Sequence, residues 1–263
     1  MTNRIDKTLN SIIAKGDNIL SPFLTIGYPD LDTSFEISKA IISSGADMLE
    51  LGIQFSDPLA EGHTIQKTSY QALQNGVTVS TGFEIVRKIR DIDTSTPLVI
   101  MGYFNPFFQY GQENVVVEAS DAGVDGFIIP DLPWEESEHF NNLCLRKKIH
   151  LIPLLTPTST DERINKVCER ASGFVYCVSV TGVTGARLQL NKDLPSLVSR
   201  IRKNTNLPIL VGFGVSSRSH VETISGFADG VVVGAALLDS ISNAKNGNVV
   251  SEASEFIKSL KGN

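Results

Sequence analysis

The apolar residues of this chain fall in short, dense runs rather than in alternation. "NILSPFLTIG", "ADMLELG", "TPLVIMGY", "VDGFIIPD", "IHLIPLL", "GFVYCVS", "LPILVGFG" and "ADGVVVGAA" are apolar almost throughout, and each gives way to glycine, proline or a polar turn. A strand with one face in water alternates, whereas a strand covered on both faces does not. The runs therefore predict strands of a parallel sheet with helices laid over it. The intervening segments carry the longer period of helices. "STDERINKVCERA" has Ser159 and Glu162 at capping-box spacing and Ile164, Val167, Cys168 and Ala171 on one face. "LPWEESEHFNNLCLRKK" opens with Pro133 and acids and closes in bases, as the helix dipole favours. "DTSFEISKAIISSG" sets Ile37, Ala40 and Ile41 on one side before Gly45 stops it.

Eight such strands alternating with helices predict an α/β fold of the (βα)8 barrel type, one domain over residues 1–263 with an extra amino-terminal helix in "MTNRIDKTLNSIIAKG". A doubly wound open sheet is the competing layout and suits evenly spaced units less well. Two strand-to-strand intervals are long. The one after strand 2 holds an additional helix, "TIQKTSYQALQNG", and the one after strand 6 holds "VTGVTGARLQL". Loops that follow strands form the catalytic face of a barrel, so both insertions fall where a site is expected. No tract rich in Pro, Gly or Ser divides the chain, and "SNAKNGN" reads as a surface loop before a final helix.

Composition narrows the function. With 41% apolar and 20% charged residues the chain can build a core, and its net charge of −6, without a basic block, argues against nucleic acid or an anionic membrane as partner. Cys144, Cys168 and Cys177 are odd in number and lack metal-ligand spacing, which suits reduced thiols and a cytoplasmic location. No uninterrupted apolar segment marks a signal peptide or a transmembrane helix. His63, His139, His150 and His220 are scattered, and dinucleotide, P-loop and nucleophile-elbow motifs are missing, so neither metal nor cofactor is indicated.

The candidate chemistry begins at Glu50, a carboxylate inside the apolar run Met48-Leu49-Glu50-Leu51. Burying a charge is costly unless it is paired or used. A desolvated carboxyl has a raised pKa and can both give and take a proton near neutrality. A structural ion pair is the bland reading of Glu50, and solvated charge that of Asp57 and Glu61 in the next loop. The glycines of "VGFGVSS" and "VVVGAALL" end strands 7 and 8 just before helices, a frequent phosphate site, and the "TGVTG" loop adds N–H groups from the strand 6 side. Phe23, Ile65, Met101 and Phe213 are the apolar side chains expected at the same mouth, with Tyr176 in strand 6 needing a partner for its hydroxyl.

Taken in order, "LELGIQFSDPLAEGHTIQ", "PLVIMGYFNPFFQYG", "GVDGFIIPDLPWEES", "SVTGVTGAR" and "LPILVGFGVS" resemble the tryptophan synthase alpha subunit family over nearly the whole chain. The resemblance implies the barrel and a cofactor-free retro-aldol cleavage of indole-3-glycerol phosphate. It makes Glu50 the acid/base and Glu61 the acceptor of the indole N–H. It also implies that Thr184 holds that second carboxylate, and that Gly185, Gly214, Gly234 and Ala235 bind phosphate. Ala235 is often serine in the family. A pyridoxal-phosphate beta subunit is the implied partner, in an α2β2 tetramer, with Asp57 and Pro58 relaying between subunits. The chain departs from the family at Glu61, usually aspartate, and at Gln54, His63 and Trp134, each usually proline. The methylene added at Glu61 matters because a misplacement of about 1 Å can cost about a hundredfold in rate. A stand-alone lyase and a non-catalytic activator of the beta subunit are the other readings consistent with these residues; a sugar-phosphate isomerase is a distant one.

Overall fold

The computed structural model describes residues 2–178, 193–212, 214–244 and 247–262. Its frame is a set of nine parallel strands: β1 (Ile19–Thr25), β2 (Leu49–Gly52), β3 (Leu98–Met101), β4 (Gly126–Ile128), β5 (His150–Leu151), β6 (Leu154–Leu155), β7 (Val175–Val178), β8 (Ile209–Gly212) and β9 (Gly230–Val233). They lie in the order β5-β4-β3-β2-β1-β9-β8-β7-β6. Neighbours in sequence are neighbours in space, and the first strand meets the last, which excludes the doubly wound sheet.

The extra strand has a physical cause. The run "IHLIPLL" was expected as one strand, but Pro153 has no N–H to give and interrupts it. Its first half pairs with β4 and its second with β7. The Ile152 N–H donates to the Phe127 carbonyl at 2.8 Å, and the Tyr176 N–H to the Pro153 carbonyl at 3.0 Å. The barrel closes through this kinked run.

The twelve α-helices of the described residues begin with α1 (Arg4–Ala14), which closes the amino-terminal end of the barrel. Asn3 caps it in a capping box with Asp6. Ile5 is fully buried, and a side chain at Gly126 would meet it at 3.1 Å. Helix α2 (Leu31–Ser43) ends as expected, Gly45 following with φ +97°. The inserted helix α3 (His63–Gln74) and α4 (Val79–Ile92) both follow β2. Two helical expectations need correcting. Helix α8 (Asp161–Arg170) is capped by Thr160, whose hydroxyl accepts the Arg163 N–H at 3.2 Å, while Ser159 instead accepts the Thr156 N–H at 3.1 Å. The segment after Pro133 is not one helix but a 3-10 turn, Trp134–Glu136, followed by α7 (Glu138–Arg146). Trp134, at the start of the turn, points inward: it is buried, and the Arg170 guanidinium lies 5.6 Å from its ring. No helix among the described residues is long and apolar enough to cross a membrane.

Candidate active site

Pairing register decides what enters the barrel. Residues matched across parallel strands share a face, and Phe23, Glu50 and Val99 are matched across β1, β2 and β3. Gly52 and Met101 are matched one step higher. The bare α-carbon of Gly52 is required there, because a Cβ would fall 2.6 Å from the Phe23 ring. The ring thus lies over the strand just above Glu50.

Glu50 is 1% exposed, and among the described residues neither of its carboxylate oxygens has a hydrogen-bond partner. Burial pushes its pKa up to about 8, with a smaller contribution from the charge of Glu61. Among the described residues no cation offsets the desolvation, which argues against the ion-pair reading. The carboxyl is protonated at neutral pH yet close to its titration point, which is what a group that both gives and takes a proton needs.

Glu61 is also buried, in the loop between β2 and α3, and burial raises its pKa in turn. Its carboxylate accepts a hydrogen bond from the Tyr103 hydroxyl, and that hydroxyl accepts the Ala60 N–H at 2.8 Å. Burial, and then the bond to Glu61, push the Tyr103 phenol above its ordinary range, so it stays a donor. Gln66 of α3 donates to the Glu61 carbonyl at 2.9 Å. Thr68 of α3 bonds Thr25 at the end of β1 at 2.9 Å. Both bonds pin the insertion over the mouth.

A narrow cleft of about 20 Å³ opens here; Phe23, Gln54, Glu61, Ile65, Met101 and Tyr103 are among its walls. Phe23, Ile65 and Met101 were expected at this mouth, and the structure brings them together with Glu61. Tyr176 is buried on β7, its phenol raised by burial and then by Glu50, and a methyl group at Gly212 would overlap its hydroxyl. Gly214 has φ +83°, in the left-handed region that favours glycine. Gly234 caps α11 (Ala235–Ser242) and leaves only 3.3 Å between an added Cβ and Phe23. Thr64 of α3 donates to Asp239 of α11 at 2.8 Å, tying the carboxylate insertion to the candidate phosphate helix.

Thr184, Gly185 and Phe213, expected in the site, lie outside the described residues. Asp57 is exposed and bonded to its neighbour Ser56 at 2.5 Å, away from the cleft, while Pro58 lines the cleft's edge. Two wall residues went unassigned in the sequence reading. Tyr103 sits just past β3 in "MGYFNP", and a polar tip at a strand end was the available signal. Gln54 stood out only as a departure from a family proline, yet it is buried in the cleft.

A closed parallel barrel whose mouth holds a buried carboxyl, without a hydrogen-bond partner among the described residues, beside a second carboxylate defines a class: barrel enzymes with a carboxylate pair at the mouth. The particular family follows from likeness over the whole chain. Residues 9–262 match the family model of the tryptophan synthase alpha chain. The chain is 45% identical over 260 residues to a tryptophan synthase alpha chain of Roseiflexus sp. (strain RS-1), covering 99% of this chain and 100% of that one. It is 42% identical over 260 residues to one from Thermoanaerobacter sp. (strain X514), covering 98% of each. Among solved structures, the alpha chain from Legionella pneumophila subsp. pneumophila superposes with a TM-score of 0.91 at 35% identity, covering 100% of this chain and 97% of that one. A Mycobacterium tuberculosis tryptophan synthase chain gives 0.92 at 32% identity, covering 100% and 98%. The chain belongs to the tryptophan synthase alpha chain family, a family of lyases.

Proposed function

We propose that this protein cleaves indole-3-glycerol phosphate to indole and D-glyceraldehyde 3-phosphate, with Glu50 as acid and base and Glu61 as the acceptor for the indole N–H. The observation that carries the reading is Glu50 itself, buried, without a hydrogen-bond partner among the described residues, its pKa pushed up to about 8 beside a second carboxylate. The protonated carboxyl gives its proton to indole C3, which leaves positive charge on the ring nitrogen. The ionised Glu61 stabilises that charge through the N–H. Glu50, now a carboxylate, takes the proton of the side-chain hydroxyl next to C3. The carbon–carbon bond then breaks: its electron pair returns to the ring and neutralises the nitrogen, while the hydroxyl carbon becomes the aldehyde. Glu50 ends with the proton count it began with.

Phe23, Ile65 and Met101 supply the apolar lining for the indole, with Tyr176, Phe213 and Thr184 completing the substrate contacts in this reading. Gly185, Gly214, Gly234 and Ala235 take the phosphate. The Gly214 turn and the free N–H groups at the start of α11 support that placement. Indole passes to a tryptophan synthase beta subunit in an α2β2 assembly, and exposed Asp57, with Pro58 at the cleft edge, links the two sites. The experiment is indole release from indole-3-glycerol phosphate, with and without a beta subunit. Wild type releases indole, the beta subunit accelerates it, and Glu50→Gln releases none. A Glu50→Gln variant that cleaves at the wild-type rate would remove Glu50 from the chemistry and the proposal with it.

A further inference from the structure

Gln54 carries a polar atom that finds no partner among the described residues and that the reaction above does not use. It lies two residues past Gly52, and the alternation of β2 continues to it. Ile53 points outward, against α4, where a Cβ at Gly82 would fall 2.6 Å from its terminal methyl. Gln54, like Glu50, therefore faces inward, on the mouth side of the Phe23 ring. Its Nε2 donates to the Gly52 carbonyl at 2.5 Å, which fixes which end of the amide is which. The carboxamide oxygen is left pointing away from that carbonyl. The residue is only 8% exposed, and among the described residues Oε1 has no hydrogen-bond partner.

A buried carbonyl oxygen without a donor is uncommon in folded proteins and asks for an explanation. The residue that carries it lines the cleft that also holds Glu61, Tyr103, Ile65 and Met101. Glu61 is already engaged by the Tyr103 hydroxyl. The wall thus combines apolar side chains with two acceptors, one charged and one neutral.

We propose that Gln54 is a substrate-binding residue, its carboxamide oxygen accepting the ring N–H of the substrate alongside the Glu61 carboxylate. The inference rests on the reading of the substrate as an indole given above. A neutral acceptor satisfies the N–H without opposing the full charge that develops on nitrogen. Gln54 therefore contributes to binding and orientation in the ground state as much as in the transition state, while Glu61 carries the charge stabilisation.

The test is Gln54→Met, which keeps length and bulk and removes the acceptor, read in two ways on the full chain. Steady-state kinetics with indole-3-glycerol phosphate separate KM from kcat. Equilibrium binding of indole and of benzofuran, the same bicycle with oxygen in place of N–H, isolates the hydrogen bond. The expected result is a rise of about tenfold in KM and in the indole Kd, with kcat within about threefold and the benzofuran Kd unchanged. Equal weakening of indole and benzofuran would make Gln54 a packing residue and overturn the proposal, as would unchanged binding of both. Gln54→Leu repeats the measurement without the acceptor should the methionine variant unfold. Wild-type turnover decides separately whether the protein is a lyase, and the difference between the two ligands depends only on Gln54.

Discussion

Two buried carboxylates sit at opposite ends of the same barrel and are treated in opposite ways. Asp125, just before β4 at the amino-terminal end, is 2% exposed and surrounded by donors. Arg4 meets it at 3.0 Å, Arg90 at 2.7 Å, and the Leu98 N–H at 2.9 Å. Glu50, on β2 facing the mouth, is as deeply buried and meets no donor among the described residues. The first arrangement stabilises a charge so that three segments of chain stay together. The second withholds stabilisation so that a proton remains on the group and can leave it. Burial alone does not single out a candidate acid; burial without a donor among the described residues does.

The largest effect expected from breaking this contrast is Glu50→Gln. It should lower kcat by at least about a thousandfold, the upper range for a lost acid/base group, with no loss of stability, because the amide replaces a group that is neutral at pH 7 in the folded state. The titration behind it has a definite sign. The folded protein keeps the Glu50 proton up to about pH 8, whereas the unfolded chain releases it near 4.5. Stability due to Glu50 is therefore complete below pH 4.5 and is lost as pH rises towards 8, on the order of 5 kcal/mol in all. Urea unfolding of wild type and Glu50→Gln across that window should diverge accordingly. Parallel curves would show that Glu50 is ionised and paired after all. In kinetics, kcat/KM should decline above about pH 8 as the acid form disappears.

At the other end, Asp125→Asn should cost stability and leave chemistry alone. Arg90 is mostly buried, and burial pushes its guanidinium pKa down to about 10, so it stays charged and loses its partner. Removing one member of a buried pair typically costs about 3–5 kcal/mol. Urea denaturation should show that loss, with kcat unchanged in the folded protein. A fall in kcat at constant stability would mean that the two ends of the barrel are coupled.

Glu50 was legible in the sequence because a charge inside an apolar run has few explanations. Asp125 was not, because an acid at the start of a strand looks like a turn residue. Its partners come from far away: Arg4 is 121 residues off and Arg90 is 35. The strands were legible for the reason Glu50 was, since a run covered on both faces shows in its composition. The split at Pro153, the cap at Thr160 rather than Ser159, and the inward turn of Trp134 were not. Pro153 was visible in the run but was passed over because the run is otherwise apolar; the other two are settled by which neighbour a group finds after the chain has closed. Tyr103 and Gln54 escaped for a related reason, since a polar tip past a strand or a departure from a family proline is a weak signal until the loop is folded over a cleft.

Tyr103→Phe sharpens the contrast from the catalytic side with a smaller effect. The phenol's hydrogen bond lowers the Glu61 pKa against the dominant effect of burial. Without it, the Glu61 pKa rises further, so the acid limb of the kcat/KM profile should move to higher pH. The decrease should be greatest at the acid end of the profile and recover as pH rises and Glu61 ionises. A profile lowered evenly at every pH would show that Tyr103 acts by contact with substrate and not through Glu61.

The smallest effect belongs to Arg4→Met. Arg4 and Arg90 hold the two oxygens of the same carboxylate, but the Arg4 side chain is 35% exposed and that of Arg90 only 10%. Water screens the outer pair and takes over its hydrogen bonds when it is cut, so the loss should be about 1 kcal/mol or less. Methionine keeps part of the side chain's apolar contact at the end of the barrel. The Arg4 guanidinium also repels that of Arg90 and lowers its pKa, so removing it should tighten the inner pair. A double-mutant cycle with Asp125→Asn measures the sum. A coupling well above 1 kcal/mol would mean that α1 holds the amino-terminal end shut through charge. A coupling near zero would leave that closure to Ile5 and the apolar contacts beneath it.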